Sequence, residues 1–367
     1  MVDKKLLRTF DWSLYLMYLG LSLFGVLMIA SASQNNALGD PAFFWTKQLQ
    51  WVVIGQLLLL FALVVDYRFF ANMSIPIYLL NLTLLLGVLA IGVQGGGAQR
   101  WIDLGAFTLQ PSEFAKLAVV VTLATHVEKL RRVDDFFRLA LVVLHVALPM
   151  VLIVVQPDLG TALVFLGIMV AVLYAAELPR RLIVFLGTGA LALAPVVWSF
   201  GLKAYQRARL IVFLDPSLDR MGIGYHLTQS IITVGSGMFA GRGLFQGPQS
   251  ELNFLPAQHT DFIFSVVGEE LGFLGAAGVV LAMFFVVYRC LQIAAIAKDA
   301  CGRYIAVGVG SWVAFQLIVN TGMTVGLMPV TGLPLPFLSY GGSSYLALSL
   351  GVGLVLNVGM RHRKILF

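Results

Sequence analysis

The strongest candidate for proton-transfer chemistry is an acidic residue that follows a polar, proline-containing stretch. Residues 255–262 carry Asp261, and if a helix begins near this position, Ser265 and Glu269 share its face at four-residue spacing. Asp261 could be the N-cap of that helix. An acid beside a basic, partly desolvated pocket is also what a general base requires. Spacing alone leaves both interpretations of Asp261 open.

An acid and a base also stand at the start of an apolar run. Pro111 suits the first position of a helix, Glu113 falls in its electropositive first turn, and Lys116 lies three residues further on, within ion-pair reach. Arg100 precedes them in the same connection. A structural helix start explains the proline and the glutamate. A lysine in the outer third of a membrane is equally well explained by function.

Arginine is frequent in one long connection, residues 202–260. Guanidinium groups bind phosphate oxygens bidentately, so a pyrophosphate ligand would account for these residues. Ion pairs with acidic residues of the same connection account for them equally well. The arginines are Arg207, Arg209, Arg220 and Arg242.

Two further polar positions precede apolar runs. Asp158 follows the fifth run, and its pattern favours an N-cap of the next helix. Residues 341–344, which include Ser343, read Gly-Gly-Ser-Ser at the start of the last helix. Small residues there permit either close backbone approach or a donor-rich helix start that faces an anion, and the pattern leaves both open.

The elements that position these groups must cross a membrane. Of 367 residues, 59% are hydrophobic and 11% are charged, a balance with which a soluble chain could not cover its surface. Apolar runs of about 20 residues match the thickness of the hydrocarbon core. These data predict an all-α integral membrane protein with about ten transmembrane helices in a single polytopic membrane domain, residues 1–367. The runs lie near residues 12–33, 43–65, 76–93, 111–128, 136–155, 159–177, 181–201, 271–292, 304–327 and 337–359.

The placement of Lys and Arg in the connections predicts the orientation, because cytoplasmic loops retain an excess of both residues. The basic clusters alternate so that both termini lie in the cytoplasm. Residues 202–260 then form a large extracytoplasmic loop between helices 7 and 8, which is not long and mixed enough in composition to bury a core of its own as a soluble domain. The formal charge of +6 is a topology signal and predicts no nucleic-acid partner. The clusters contain Lys4, Lys5, Arg8, Arg68, Lys129, Arg131, Arg132, Arg180, Arg181, Arg289, Lys298, Arg303, Arg361, Arg363 and Lys364.

Several of these segments together resemble the SEDS (shape, elongation, division and sporulation) family, and the resemblance covers nearly the whole chain. The motifs are RW at 100–101, QPSE at 110–113 with Lys116, QPDLGTA at 156–162, GYH at 224–226, QS at 229–230, HTDFIF at 259–264 and PLPFLSYGGS at 334–343. Residues 249–256 resemble the RodA elongation branch more than the FtsW division branch. Many relatives carry Glu where this chain has Ala257, which leaves Asp261 as the candidate acid.

The resemblance implies a ten-helix fold and a peptidoglycan glycosyltransferase. The expected donor is lipid II, the undecaprenyl-pyrophosphate-linked disaccharide pentapeptide, used at the outer face of the bacterial cytoplasmic membrane. Asp261 is then the base for the acceptor hydroxyl, and inversion at the donor carbon yields a β-1,4 linkage. Basic residues are expected to bind the departing pyrophosphate, and other polar residues to bind substrate. The expected substrate-binding set is Arg100, Glu113, Lys116, Asp158, Arg207, Arg209, Arg242, His259 and Ser343.

Cofactors and partners follow from the same resemblance. No nucleotide-binding motif and no protein-ligated metal site is expected, although a divalent cation, Mg or Mn, could assist. A class B penicillin-binding protein is the expected transpeptidase partner, because the chain has no cross-linking domain of its own.

Two other functions fit a polytopic chain with intramembrane charges. A lipid II flippase or transporter predicts polar residues along the full depth of the bundle. A polymerase predicts them concentrated at the outer mouth, where the candidate residues fall. A non-catalytic scaffold for a penicillin-binding protein leaves the basic outer residues unexplained.

Overall fold

The computed structural model describes residues 9–34, 40–95, 98–105, 107–219 and 221–362. Its α-helices are α1 (Trp12–Ala32), α2 (Phe43–Val64), α3 (Tyr67–Asn72), α4 (Ser74–Ile91), α5 (Pro111–Leu130), α6 (Phe136–Val155), α7 (Leu159–Ala175), α8 (Arg180–Val196), α9 (Ala204–Leu214), α10 (Ile223–Ser236), α11 (Pro248–Glu251), α12 (Ile263–Ile296), α13 (Ala300–Thr324) and α14 (Gly342–Met360). A π-helical turn, Val197–Gly201, extends α8, and a 3-10 turn spans Pro216–Asp219. The strands are β1 (Val93–Gly95), β2 (Ala98–Asp103) and β3 (Thr108–Leu109).

The predicted membrane architecture is confirmed. In the described ranges, 8 helices are long and apolar enough to cross a membrane, namely α1, α2, α4, α6, α8, α12, α13 and α14. The shorter apolar helix α7 and the more polar α5 bring the total to the predicted ten. In hydrocarbon a helix satisfies its own backbone groups, which is why long apolar runs adopt this conformation.

The ends of the helices are fixed by side chains that accept hydrogen bonds from first-turn N–H groups. Asp11, Asp135, Asp158 and Asp299 act as such N-caps, with oxygen-to-nitrogen distances of 3.0, 2.8, 3.1 and 2.8 Å. Pro111 occupies the first turn of α5, as predicted. These residues explain why the helices begin where they do.

Ion pairs join helix termini at one end of the bundle. Arg68 pairs with Asp299 at 2.7 Å, and Arg289 pairs with Asp11 at 2.5 Å. Arg361 lies 3.1 Å from Asp66. The same end of the bundle thus contains three basic residues of the predicted cytoplasmic clusters, namely Arg68, Arg289 and Arg361. The predicted Lys4, Lys5, Arg8, Arg363 and Lys364 lie outside the described residues.

Close packing of α2 against α14 builds the interior. A Cβ on Gly353 would lie 2.8 Å from the Cβ of Ala62 and 3.0 Å from the carbonyl oxygen of Leu59. Tyr18 of the neighbouring helix α1 also contacts α14, through hydrogen bonds to Tyr345 and Ser349 at 2.8 Å. Small residues and hydrogen-bonded polar side chains are the usual means by which membrane helices associate, because apolar burial alone gives little gain in lipid.

The connection between α8 and α12 is more ordered than a plain loop. It contains α9, the 3-10 turn, α10 and α11. The apolar run predicted near 271–292 begins earlier, at Ile263, and the helix is broken at Gly272, where φ is +65°. The N–H groups of Arg242 and Gly243 donate to the carbonyls of Glu269 and Glu270 at 3.0 and 2.9 Å. The predicted start of this helix near residue 271 was wrong. The more polar segment before Gly272 is stabilised by hydrogen bonds from the preceding connection rather than by lipid.

A small sheet was also not predicted. The connection between α4 and α5 forms three antiparallel strands in the order β1-β2-β3, with Ile102 opposite Leu109. This short sheet holds Arg100 and Trp101 over the end of the bundle.

We expect Gly353→Ala to lower the thermal stability of the purified protein in detergent. The added methyl group overpacks the contact with Leu59 and Ala62, at a cost of about 1–3 kcal/mol. Gly87→Ala is the matched control, since a Cβ at Gly87 would have no neighbour within 4 Å. Equal melting temperatures for the two variants would contradict this account of the α2–α14 contact.

Candidate functional site

A cavity of about 590 Å³ lies at the end of the bundle opposite the ion pairs. Its wall comes from the start of α2, the sheet, the starts of α5 and α7, α9, residues 260–261 and residues 331–344. The structure brings together several predicted site residues in this wall: Arg100, Glu113, Asp158, Arg209, Asp261 and Ser343.

The position of Asp261 excludes the helix-cap interpretation. Helix α12 begins at Ile263 and Phe262 is its N-cap. The Asn320 amide nitrogen donates to the main-chain carbonyls of both Asp261 and Leu333, each at 2.8 Å. Gly332, at φ +74°, is so close that a Cβ there would lie 3.4 Å from the Asp261 carboxylate. The carboxyl therefore faces the cavity from a segment fixed by its backbone.

Two further hydrogen bonds fix the same segment. The Ser339 hydroxyl donates to the Thr260 carbonyl at 2.7 Å, and the Tyr340 N–H donates to the His259 carbonyl at 2.9 Å. The segment 331–341 thus acts as a support for residues 259–261.

Arg100 and Arg209 place two guanidinium groups in the cavity wall. Arg100 lies 3.7 Å from the Asp158 carboxylate and donates to the Pro157 carbonyl. Arg209 donates to the carbonyls of Val330 and Thr331 at 3.4 and 3.3 Å. The Nε of each arginine has no hydrogen-bond partner among the described residues.

Asp158 is the N-cap of α7, as its sequence pattern favoured, and it also lines the cavity. Its carboxylate caps α7 through the Thr161 N–H at 3.1 Å, and its other oxygen faces Arg100. The residue is 5% exposed and lines the cavity. The N-cap residue of α7 therefore also orients the Arg100 guanidinium in the cavity wall.

The charges around Asp261 act in opposite directions. Burial raises the pKa of Asp261 to about 6, and nearby Asp158 raises it further, while Arg209 and Arg100 lower it. Burial also lowers the pKa of Arg209, with a further contribution from Arg100. A carboxyl whose pKa lies near the working pH suits proton transfer.

Glu113 and Lys116 form the predicted ion pair. The Lys116 ammonium lies 2.7 Å from one Glu113 oxygen, and both side chains are buried. Lys116 also lies 5.1 Å from the centre of the Trp312 ring. Glu113 reaches the cavity wall, whereas Lys116 lies behind it. Lys116 therefore acts on the cavity through Glu113.

Besides Lys116, three predicted binding residues do not line the cavity. Arg207 donates to the carbonyls of Leu202 and Ser199, at 3.1 and 3.4 Å. Arg242 is exposed and donates to the Ser236 carbonyl at 2.8 Å. The fourth connection arginine, Arg220, lies outside the described residues.

His259, the third of these residues, is occupied by aromatic neighbours. Its ring stacks on Phe44 with centroids 4.1 Å apart and meets Tyr340 edge-on at 5.8 Å. The structure thus gives His259 a packing role at the edge of the site.

The sequence argument missed several residues of the wall. Lys47 and Trp51 come from the first turns of α2, and Trp51 packs edge-on against Phe107 with centroids 5.5 Å apart. A signal for Lys47 existed, because a basic residue at the predicted outer end of a helix departs from the positive-inside rule in the same way as Arg209 does.

No metal centre was found in the described part of the chain. Within it there is no group of three or more His, Cys, Asp or Glu side chains that could hold a metal ion. Asp158 and Asp261 are carboxylates of the same wall that influence each other electrostatically.

Comparison with known proteins identifies the family. The model of the FtsW, RodA and SpoVE cell cycle proteins matches residues 11–364. The chain belongs to the SEDS family. This SEDS protein is 40% identical to the probable peptidoglycan glycosyltransferase FtsW of Trichlorobacter lovleyi, over 96% of its own length and 93% of the relative's. It is 35% identical to the peptidoglycan glycosyltransferase MrdB of Escherichia coli, over 97% and 95%.

Solved structures agree with this assignment. A chain of a peptidoglycan synthase complex, described as coordinating polymerization and crosslinking, superposes with a TM-score of 0.83 at 32% identity and covers 97% of this chain and 99% of its own. The rod shape determining protein RodA of Thermus thermophilus superposes with a TM-score of 0.73 at 31% identity and coverages of 97% and 98%. The predicted family, fold and glycosyltransferase class are confirmed. Relatives from both branches match, so the RodA-like assignment stays a prediction.

We expect Asn320→Leu to reduce glycan polymerisation by about 10- to 100-fold, because displacement of a reacting group by about 1 Å has effects of this size. The substitution leaves the carbonyls of Asp261 and Leu333 without their donor. Gln316→Leu is the matched control, since Gln316 lies one turn earlier on α13, is fully buried, and has no partner for either amide atom among the described residues. Polymerisation assays on protein of equal thermal stability measure the difference. Equal rates would show that Asn320 does not position Asp261.

Proposed function

We propose that this peptidoglycan glycosyltransferase polymerises lipid II into β-1,4-linked glycan strands and releases undecaprenyl pyrophosphate. The supporting observation is that one cavity wall contains the Asp261 carboxyl, with its raised pKa, and the guanidinium groups of Arg100 and Arg209. Acid–base chemistry and anion binding thus meet at one place.

Asp261 is the general base in this proposal. Its carboxylate takes the proton of the acceptor 4-hydroxyl as that oxygen attacks the anomeric carbon of the donor. The bond from this carbon to the pyrophosphate oxygen breaks, and the pyrophosphate leaves with the electron pair. Attack from the face opposite the leaving group converts an α-linked donor into a β-linked product.

Arg100 and Arg209 bind the departing pyrophosphate. Negative charge develops on the bridging oxygen as the bond breaks, and fixed cations in a partly desolvated cavity stabilise it strongly. Both side chains line the cavity and donate to main-chain carbonyls, which fixes their positive charge in the wall.

The cavity faces the outside of the bacterial cytoplasmic membrane in this proposal. Arg68, Arg289 and Arg361 form ion pairs at the other end of the bundle. The positive-inside rule assigns that end, and with it both termini, to the cytoplasm. The active site then meets lipid II where glycan strands are assembled.

A divalent cation remains a prediction. Asp158 and Asp261 are the carboxylates that could hold Mg²⁺ or Mn²⁺ together with phosphate oxygens of the substrate, because these ions favour oxygen ligands. Such an ion would supply further charge neutralisation for the pyrophosphate.

The partner and the cellular role are also part of the proposal. The solved complex to which this chain is similar is described as coordinating polymerization and crosslinking. A class B penicillin-binding protein would supply the crosslinking step here. Residues 249–256 favour a role in elongation and cell shape, as in the RodA branch.

We expect Asp261→Asn to reduce the rate of glycan polymerisation about 10²- to 10⁴-fold, since a general base contributes a factor of this size. Wild type and variant are reconstituted in liposomes with lipid II, with and without a class B partner. Asp103→Asn is the matched control, because Asp103 is exposed on β2 outside the cavity wall. Polymer from Asp261→Asn at the wild-type rate would remove Asp261 as the base. Absence of polymer from wild type with its partner present would contradict the lipid II reaction itself.

We expect polymerisation to slow as the pH falls through about 6, the value to which burial raises the Asp261 pKa. Protonation below this value removes the acceptor for the hydroxyl proton, so activity is present above it and lost below it. Arg209→Met should move this acidic limb to higher pH, because Arg209 lowers the Asp261 pKa. Rates are measured from about pH 5 to pH 8. A limb near the pKa of a free aspartate, or no shift in the variant, would contradict the assignment.

A further inference from the structure

The basic residues at the end of the bundle opposite the cavity differ in whether a carboxylate neutralises them. Arg68, Arg289 and Arg361 are paired with carboxylates at 2.7, 2.5 and 3.1 Å. A second group, on the α5–α6 and α7–α8 connections and the helix turns beside them, is exposed and forms no ion pair in the described ranges. Its members are Lys129, Arg131, Arg132, Arg180 and Arg181.

The two connections form one surface. Glu128, beside Lys129 in the last turn of α5, pairs with Arg68 at 3.4 Å and so lies at the end of the bundle that carries the ion pairs. Arg181, in the first turn of α8, donates to the main-chain carbonyl of Asp134 at 2.5 Å. The five unpaired cations of these two connections are called the basic patch below.

The nearby carboxylates do not neutralise the basic patch. Asp134 and Asp135 both face Arg138, at 2.8 and 3.5 Å. Glu177 is exposed on the α7–α8 connection, and no ion pair joins it to the patch in the part of the chain that the structure describes. The positive-inside rule explains why cations lie at this end. It does not explain why these are concentrated on two adjoining connections and left unpaired.

Exposed aromatic side chains adjoin the basic patch on the membrane side. Phe136 is the first residue of α6, and Phe185 lies in the second turn of α8. Both rings are exposed, and they meet edge-on with centroids 4.9 Å apart. The starts of α6 and α8 therefore present apolar surface towards the bilayer and cations towards water, which is the pattern that an anionic phospholipid matches.

The packing of α8 leaves room for such a lipid. In α8, all of whose residues are described, Leu182 is the only buried one. Its first turn contains Arg180 and Arg181 and no acidic residue. Cations at this end of a helix are repelled by the helix dipole, so an anion beside them would remove an unfavourable interaction.

We propose that the basic patch, with Phe136 and Phe185, binds a cardiolipin, an anionic phospholipid with two phosphates, from the cytoplasmic leaflet. The cations come from two connections, and two phosphates on one glycerol bridge can contact both. A lipid with a single phosphate brings one negative charge to five cations. The acyl chains then cover the exposed rings and join α6 to α8.

This lipid site is separate from the reaction. It lies at the end of the bundle opposite the cavity, and its residues do not line the cavity. Cardiolipin here holds the first turns of α8 against α6 and is not consumed.

The test is to measure cardiolipin binding to the intact protein. Wild type in a neutral detergent is titrated with cardiolipin, phosphatidylglycerol or phosphatidylethanolamine, and bound lipid is counted by native mass spectrometry. We expect one cardiolipin to be retained at concentrations at which the other two lipids are lost. A basic residue near an anionic headgroup strengthens binding about fivefold, so Arg132→Met combined with Arg180→Met should weaken cardiolipin binding about 25-fold.

Two control variants separate the basic patch from the charge of the whole end. Arg132→Lys combined with Arg180→Lys keeps both charges and should bind cardiolipin as wild type does. Lys298→Met removes an exposed cation from the α12–α13 connection, outside the patch, and should also leave binding unchanged. All variants should melt at the wild-type temperature without lipid, and cardiolipin should raise the melting temperature of wild type more than that of the double methionine variant.

Three outcomes would overturn the inference. They are equal cardiolipin binding by wild type and the double methionine variant, equal retention of phosphatidylglycerol and cardiolipin by wild type, and a loss of binding in Lys298→Met as large as that in Arg180→Met alone. Binding is counted without lipid II and without turnover, so the result does not depend on the proposed reaction.

Discussion

The rest of the site depends on the two hydrogen bonds that the Asn320 amide donates. Both of its N–H groups are used, on the carbonyls of Asp261 and Leu333. These carbonyls belong to irregular backbone at the edge of the membrane, where a missing partner is costly. One side chain of α13 therefore fixes both the acid and the segment that supports it. Ser339 extends the same arrangement by binding the Thr260 carbonyl.

The same need to satisfy backbone groups explains the shape of α12. Gly272 interrupts the helix, and the connection that precedes it supplies the missing partners: the Phe273 N–H donates to the Met238 carbonyl at 2.9 Å. The buried Glu269 carboxylate accepts from the N–H groups of Gln249 and Ser250 at 2.8 and 3.1 Å. The polar start of α12 is thus held by residues 238–250. The extramembrane segment and the acid-bearing start of the helix form one unit.

Local patterns predicted the parts of this protein that depend on local interactions. Ten apolar runs gave the helices, and the three-residue spacing of Glu113 and Lys116 gave a buried ion pair. Contacts between residues that are distant in the sequence determine which polar side chains face the cavity. Arg207 and Arg209 are two positions apart on a helix, about 200° around its axis, so one faces the cavity and the other its own preceding turn. No single-chain pattern indicates which of the two faces inward.

The charges of the cavity show why its basic residues are not equivalent. Arg100 is opposed by Asp158 at 3.7 Å, and Lys116 by Glu113 at 2.7 Å. Such pairs lower the cost of burying charge, and a paired cation contributes less positive potential to a ligand than an unpaired one. Arg209 and Lys47 also line the cavity, and neither forms an ion pair with a carboxylate in the described ranges. Because an unpaired cation in a partly desolvated cavity gains most from an anion, Arg209 contributes more than Arg100 to anion binding in the proposed reaction.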